Sequence, residues 1–572
     1  MFRPLCCDAC CVLAGLALFV GEMKAAEIRR IWRCGLAERA CLLCRYLHDE
    51  TRRSRSRLAG CQRHRLRELA LAPGSLPRCG SPLILGRSNY LKSCEKSGNR
   101  SRVKFTTSAE WAQREFGTAK VKDRRWLARL VSVAAQAARR PAGKVTEVFG
   151  NDADRQGAYG LLESEDVTSG QVGAPMFEAC AERCADEEFV FCAVDGSSIT
   201  VTDLNDGKDL GSIGTLTQGG RGVKVISALA ISAKGVPLGL PSQVWWKRTV
   251  SSAKRKHRHL RRTCDKEIQR WLDTMEKSRQ VMRQHAPRTK LWFQLDREGD
   301  AWPIFQSADY EEHWFTIRGN HNRRVILEHG QQTYLRELVA QQPVVTRYEL
   351  RVSGASKRTA RVAKMAVQAC SMTLDFCDKR TKKHFPKQVN VVLAREQDTT
   401  PAGEKPIEWL LLTNRPITTV ENINQIVFGY AQRWRIEDFH RTWKSGTCRV
   451  EESQLRSAEA LTKWATILAA VAVRAERIKH LSRQEPDRPA SDEFSPVEIR
   501  AITLLRFGKS AKKQLEAAQV PTLAQATLWL AQIGGYTGKS SGGPPGSVTL
   551  TRGLKEVAAV VRALDALQAT CD

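Results

Sequence analysis

Three carboxylates stand where phosphate chemistry could use them. The apolar run Phe189-Val190-Phe191-Cys192-Ala193-Val194 stops at Asp195, and the run Leu291-Trp292-Phe293-Gln294-Leu295 stops at Asp296. Short apolar runs of this kind read as buried strands, so both aspartates are expected at strand ends, where sheet-based sites commonly sit. A third acid, Glu437, lies in the segment YAQRWRIEDFHRTWK, in which Tyr430, Arg433, Glu437 and Lys444 are spaced by three, four and seven residues. At 3.6 residues per turn these four share one helix face, with Trp434 and Phe439 off that stripe and expected to face the core. Taken alone, Arg433 and Glu437 would serve equally as an exposed i, i+4 ion pair. Taken with the aspartates, they suggest more. Three hard oxygen donors suit Mg²⁺, and two divalent ions would supply the nucleophile activation and charge neutralisation that a phosphodiester demands. Tyr430, Arg433 and Lys444 would then hold DNA phosphates beside them.

The elements that must position these residues emerge from periodicity. Val223 to Ile231 is a further apolar strand ending at the Lys234-Gly235 turn, and residues 181–318 read as the first part of a β-rich core. Residues 319–419 alternate in short runs such as Val344 to Leu350 and Val389 to Leu393, the pattern of a β-rich insertion. Thr418-Thr419 is a good N-cap region, and one long helix is predicted from about Val420 within residues 420–455. Residues 456–572 read as helical around a Gly/Ser/Pro loop at Gly534 to Gly546, suited to packing on the core or pairing with a second subunit. Ahead of the core, residues 105–180 read as a small helical domain. There Trp126, Leu127, Leu130, Val131, Val133 and Ala134 recur at helical spacing among Arg124, Arg125 and Arg129, and a second stretch runs from about Asp154 to Leu162.

Composition narrows the partners. A chain of 572 residues exceeds the roughly 250–300 residues at which single cores stop growing, so two to four domains are expected. With 91 Lys and Arg against 61 Asp and Glu, the net charge is +30, which favours a polyanion through counterion release. Nucleic acid is the first choice, since a membrane surface would call for an amphipathic or spanning segment not found beyond the first 25 residues. The basic run KRKHRHLRR, Lys254 to Arg262, reads as a solvated or phosphate-facing loop. Ten of the 18 cysteines fall in residues 1–94, and the rest are scattered singly, as in a protein of reduced thiols. Residues 1–104 look foreign to the rest of the chain. Arg3, the run Cys11 to Val20 and Ala25-Ala26 resemble a weak secretory signal, but the run is too short to span a bilayer and the basic stretch after it argues against export. The pairs Cys7/Cys10 and Cys41/Cys44, with His48 and His64, suggest zinc only by residue type, because the spacing between pairs is irregular. The extension reads as a disordered arm or as an upstream stretch that is not translated.

The ordered set of motifs resembles the insertion-sequence-four family of DDE transposases, of the Tn-five type, over roughly residues 108–570. The block YxxRWRIEDFHxxWKSG is similar to that family's Y-(2)-R-(3)-E-(6)-K signature, LDREGD to its second-aspartate motif and AVDGSSIT to its first. Supporting segments are GVPLGLPSQVWWKR, DRRWLARL, GAYGLL and EWLLLTNRPI. The resemblance implies an α/β protein: an RNase H-like catalytic core with a β-rich insertion, an N-terminal helical DNA-binding domain and a helical C-terminal region that pairs two subunits. It implies hydrolytic nicking at the transposon end, hairpin formation by the new 3′-OH, hairpin opening and strand transfer. By position, Asp195, Asp296 and Glu437 become metal ligands for two Mg²⁺ ions, with Mn²⁺ able to substitute. Tyr430, Arg433 and Lys444 become phosphate binders. Arg318, in FTIRGN, matches an arginine near the cleaved strand, and Trp409 a tryptophan that stacks on a flipped base. Arg441, also counted among the DNA-binding residues, stands where the best-known member has lysine. The implied partners are double-stranded DNA, as inverted-repeat ends and as target, and a second copy of the chain in the DNA complex, in the bacterial cytoplasm at the nucleoid and without a membrane. A nuclease or recombinase without strand transfer and a catalytically silent domesticated DNA-binding protein are the rival readings. The retained carboxylates and the full tyrosine, arginine and lysine set weigh against both.

Overall fold

The structure is a computed structural model that describes residues 108–569, apart from 204–206, 215–218, 249–261, 308–312, 328–331, 355–357, 379, 512–519 and 539–542. The cysteine and histidine pairs of the N-terminal extension and most of the basic run at Lys254 to Arg262 lie outside the described residues. Helix α1 (Ser108–Phe116) is followed by α2 (Arg124–Arg139), a single turn at Val145–Val148, α3 (Asp152–Glu163) and α4 (Ser169–Cys184). Each of the longer helices starts on a side chain that satisfies an otherwise orphaned N–H: Asp123 accepts from Arg125, Asn151 from Asp154, and Thr168 forms a capping box with Gln171. Burial in α2 matches the periodicity of its sequence, with Leu130, Val133, Ala134, Ala137 and Ala138 buried and Arg124 and Arg125 exposed.

Twelve strands of the described residues make one sheet. Its path runs β2 (Gly211–Ile213), β3 (Gly220–Ile231), β1 (Phe189–Val201), β5 (Lys290–Leu295), β6 (His313–Arg318), β12 (Glu408–Thr413), β11 (His384–Gln397), β10 (Arg361–Cys377), β7 (Arg324–Ile326) and β8 (Gln332–Tyr334). β4 (Pro237–Trp246) pairs with β3, and β9 (Val344–Val352) with β10. β1 is antiparallel to β3 and parallel to β5, which is parallel to β6. The β-rich stretch at 319–419 therefore prolongs the same sheet, because its last strand, β12, docks antiparallel on β6.

Both faces of the central strands are covered, which is why they read as continuous apolar runs. Phe189, Phe191 and Ala193 point into one buried cluster, and Val190, Cys192 and Val194 into a second. The first face carries α6 (Val420–Gln432), α7 (Trp434–Lys444) and the long α8 (Ala458–Gln484), whose cluster continues into the N-terminal helices; the second carries α4 and α5 (Ile268–His285). Lys463 and Trp464 of α8 fasten the N-terminal segment, donating to the carbonyls of Leu162 and Ser164 and of Gly143. Helices α9 (Pro496–Phe507), α10 (Leu523–Ile533) and α11 (Ser547–Ala569) enclose a third cluster. No described helix is long and apolar enough to cross a membrane. Cys180, Cys184, Cys192, Cys370, Cys377 and Cys448 are in no disulfide.

The single long helix predicted from Val420 is instead two. Thr419 caps α6 as expected, but the ladder tightens to i→i+3 bonds on both sides of Arg433, from Arg433 N–H to Tyr430 and from Ile436 N–H to Arg433. Arg433 keeps helical dihedrals, so the break shifts the stripe without scattering it.

Candidate active site

Asp195 and Asp296 are neighbours across a strand boundary. The parallel pairing of β1 with β5 ends at Val194 opposite Leu295, and the next residue on each strand is one of the two aspartates. The expectation that both sit at strand ends needs correction for Asp195. β1 continues to Val201 against β3, with Asp195 opposite Ser227, so it is the apolar run that stops there and not the strand. The run stops because β5 has ended, which opens one side of β1 to a polar notch. Asp296 caps the next turn, accepting from the Glu298 N–H at 2.8 Å, and Asp195 accepts from the Gly196 N–H at 2.9 Å.

Helix α7 lays its polar face over this notch. Arg433 reaches both acids: Nη2 is 3.2 Å from Glu437 Oε1, and Nη1 is 3.9 Å from Asp195 Oδ2. His440 places Nδ1 3.8 Å from the same Oδ2. The donor atoms of Asp195, Glu437 and His440 all lie within 4.8 Å of one another, whereas Asp296 is outside that set. Burial pushes the Asp195 carboxyl up to about 7, and the nearby charges of Glu437 and Asp296 add to it against the pull of Arg433. Burial, with Lys444 and Arg433 adding, holds the His440 ring neutral by lowering it to about 3. His440 is absent from the site residues that the sequence predicts. Its signal is nonetheless present as Glu437-x-x-His440, two side chains one turn apart on a single face.

The remaining predicted residues divide. Tyr430 is 2 % exposed and packs edge-on against Trp409 of β12, with ring centroids 5.5 Å apart; burial raises its phenol. Arg318, at the end of β6, donates to the Glu408 carbonyl at 3.0 Å, and its charge is felt at Tyr430. These three therefore gather on one flank of the carboxylates. Lys444 lies at the other end of α7, 3.4 Å from Glu451, whose carboxylate also accepts from the Thr200 N–H. Arg441 is largely exposed and pairs with Asp438 at 3.2 Å.

Trp434 overturns its expected place in the core, being 54 % exposed, while Phe439 is fully buried and stacked on Trp443. The reason is spacing. Trp434 precedes Glu437 by three residues and belongs to the polar face, whereas Ile436, Phe439 and Trp443 define the buried one. A second acidic group, Asp438, Glu476 and His480, also brings its donor atoms together, but Lys479 is ion-paired to both of its carboxylates and already supplies the positive charge.

Residues 108–167, which hold α1, α2 and α3, match the family described as Transposase DNA-binding. Over this segment the protein is transposase-related and DNA-binding, and the exposed arginines at the start of α2 belong to it.

Proposed function

We propose that the protein is a metal-dependent DDE transposase of the insertion-sequence-four, Tn-five type, with an RNase H-like core built on β1, β3, β4, β5 and β6. The observation that carries the reading is that Asp195 and Asp296 each follow the last pair of two adjacent parallel strands, Val194 opposite Leu295, with Glu437 laid over Asp195 by α7, in a chain whose first described helices match a transposase DNA-binding family. The donor chemistry fits Mg²⁺ or Mn²⁺. Three carboxylates offer hard oxygens, and the crowding of their charges, seen in the raised Asp195, is relieved by a divalent cation. Two such ions would activate the attacking water and neutralise charge at the phosphorus.

The chain's own residues supply binding and orientation. Arg433 is buried with its guanidinium between Asp195 and Glu437, from where it would also meet a phosphate oxygen of the cut strand. Lys444 exchanges Glu451 for a DNA phosphate, and Arg441, solvent-facing, adds a further backbone contact. Trp409 offers a ring to a base that leaves the stack when the duplex bends, with Tyr430 bracing it from the side and Arg318 beside the displaced strand. Arg124 and Arg125 bind the end's backbone, and the C-terminal helices pair two subunits on the DNA. The reaction sequence is hydrolysis to a free 3′-OH, attack of that hydroxyl on the opposite strand to give a hairpin, hairpin opening and transfer of the 3′-OH into target DNA.

The test is incubation of the full chain with Mg²⁺ and linear DNA carrying the inverted repeats that flank its coding sequence, plus a supercoiled target. Nicked, hairpin and strand-transfer products are expected. Nicking at random sites with no joined product would favour a plain nuclease instead.

A further inference from the structure

His440 is buried on α7 beside Asp195, yet none of its contacts accounts for it. Its Nδ1 lies 3.8 Å from Asp195 Oδ2, beyond hydrogen-bonding reach, and its Nε2 is buried without a hydrogen-bond partner. The nitrogen that faces the acid is Nδ1, and at 3.8 Å it leaves room for a cation between its lone pair and the Asp195 carboxylate. A cation about 2.1 Å from each of two donors spans separations of about 3 to 4.2 Å, a range that includes this nitrogen–oxygen distance. The spacing agrees, since a Glu-x-x-His pair on one helix is a known way to present a carboxylate and an imidazole to a single metal. The close set of donors is Asp195, Glu437 and His440, and not the three acids.

From this geometry we propose that His440 is a nitrogen ligand, so that the two cation positions differ: one is held by Asp195, Glu437 and His440, the other by Asp195 and Asp296. The inference rests on the metal-dependent reading above and adds the ligand and the metal preference it brings. Mg²⁺ favours oxygen throughout, and Mn²⁺, though also suited to carboxylates, is a first-row transition ion that takes a nitrogen ligand more readily. The His440 position is therefore the one that discriminates Mn²⁺ from Mg²⁺. With a cation on Nδ1, the ring proton would sit on Nε2.

The experiment uses the full chain without DNA at pH 8, titrated with Mn²⁺ and followed by calorimetry and by pulsed electron paramagnetic resonance, with Mg²⁺ affinity obtained by competition. Parent protein is expected to show imidazole-nitrogen coupling to bound Mn²⁺. In His440→Gln that coupling disappears and Mn²⁺ weakens by about tenfold or more, while Mg²⁺ changes by less than about threefold. If Glu437→Gln loses Mn²⁺ but the parent shows no imidazole coupling, the metal site stands and the ligand role of His440 is overturned. If neither Glu437→Gln nor Asp195→Asn weakens Mn²⁺, the metal-dependent reading itself falls and takes this inference with it. Should His440→Gln fail to fold, the presence or absence of coupling in the parent decides.

Discussion

Replacing Arg433 by glutamine removes the guanidinium that lies 3.2 Å from Glu437 and 3.9 Å from Asp195. At an effective dielectric of about 20 those contacts have gross Coulomb energies of about 5 and 4 kcal/mol, which overstate the net because desolvation of the arginine offsets much of them. Breaking a buried pair from one side costs about 3–5 kcal/mol. Glu437 is 37 % exposed, which screens its share, so the lower end applies and metal-free Arg433→Gln is expected to be about 3 kcal/mol less stable. The divalent ion of the proposed function would occupy the same electrostatic niche. Mn²⁺ at a hundred times its Kd stabilises the parent by about 2.7 kcal/mol, and the variant gains more because the competing guanidinium is gone. The assay is urea unfolding at pH 8, where Asp195, raised to about 7, is mostly ionised, with and without Mn²⁺. An Arg433→Gln protein as stable as the parent without metal, or one whose gain from Mn²⁺ is no larger, would overturn this balance of charges.

Three further outcomes are expected. Trp409→Ala should slow hairpin formation by about one to two orders of magnitude, the worth of a base–aromatic stack, while nicking suffers less; equal loss at every step in a time course on a labelled transposon end would remove the base-capture role. Lys463→Met deletes two donations, to the carbonyls of Leu162 at 3.0 Å and Ser164 at 2.6 Å, and should cost about 2–4 kcal/mol, read as faster amide exchange and proteolysis around residues 162–164. His313 is lowered by burial to about 4, with Arg279 adding, so it is neutral in the fold. Between an unfolded value of about 6.5 and that value the unfolded chain binds the extra proton, and stability falls as pH falls through this window. The parent should therefore lose about 2 kcal/mol more than His313→Gln between pH 7 and 4.5; parallel urea midpoints would contradict this.

The central strands and α2 are legible in the sequence because burial imposes a pattern that the residue types repeat: two covered faces in Phe189 to Val194, and a three-to-four spacing in Leu130 to Ala138. The cap at Thr419 and the two aspartates are legible too, though the apolar run that ends at Asp195 is shorter than β1 itself. The features that stay hidden depend on long-range partners. β12 finds β6 across some ninety residues, and nothing local in Leu410-Leu411-Leu412 names that partner. The break at Arg433 carries no glycine or proline, and its dihedrals remain helical. His440 sits between Phe439 and Trp443 in a stretch rich in core residues, so its type suggests packing. Trp434 reads as inward by its apolar ring, although its spacing from Glu437 sets it on the polar face. The hold of Glu451 on Lys444 joins two residues that the signature spacing treats separately.

Whether Asp195, Asp296 and Glu437 together cut DNA is decided by Asp195→Asn, Asp296→Asn and Glu437→Gln, each assayed with Mg²⁺ for nicking of a labelled DNA bearing the terminal repeats and, in parallel, for binding to it. All three are expected to lose nicking to background while end binding stays near that of the parent, because the proposed function gives the chemistry to the carboxylates and recognition to the α1–α3 segment. Near-parental nicking by any one of the three would contradict the assignment of the active site.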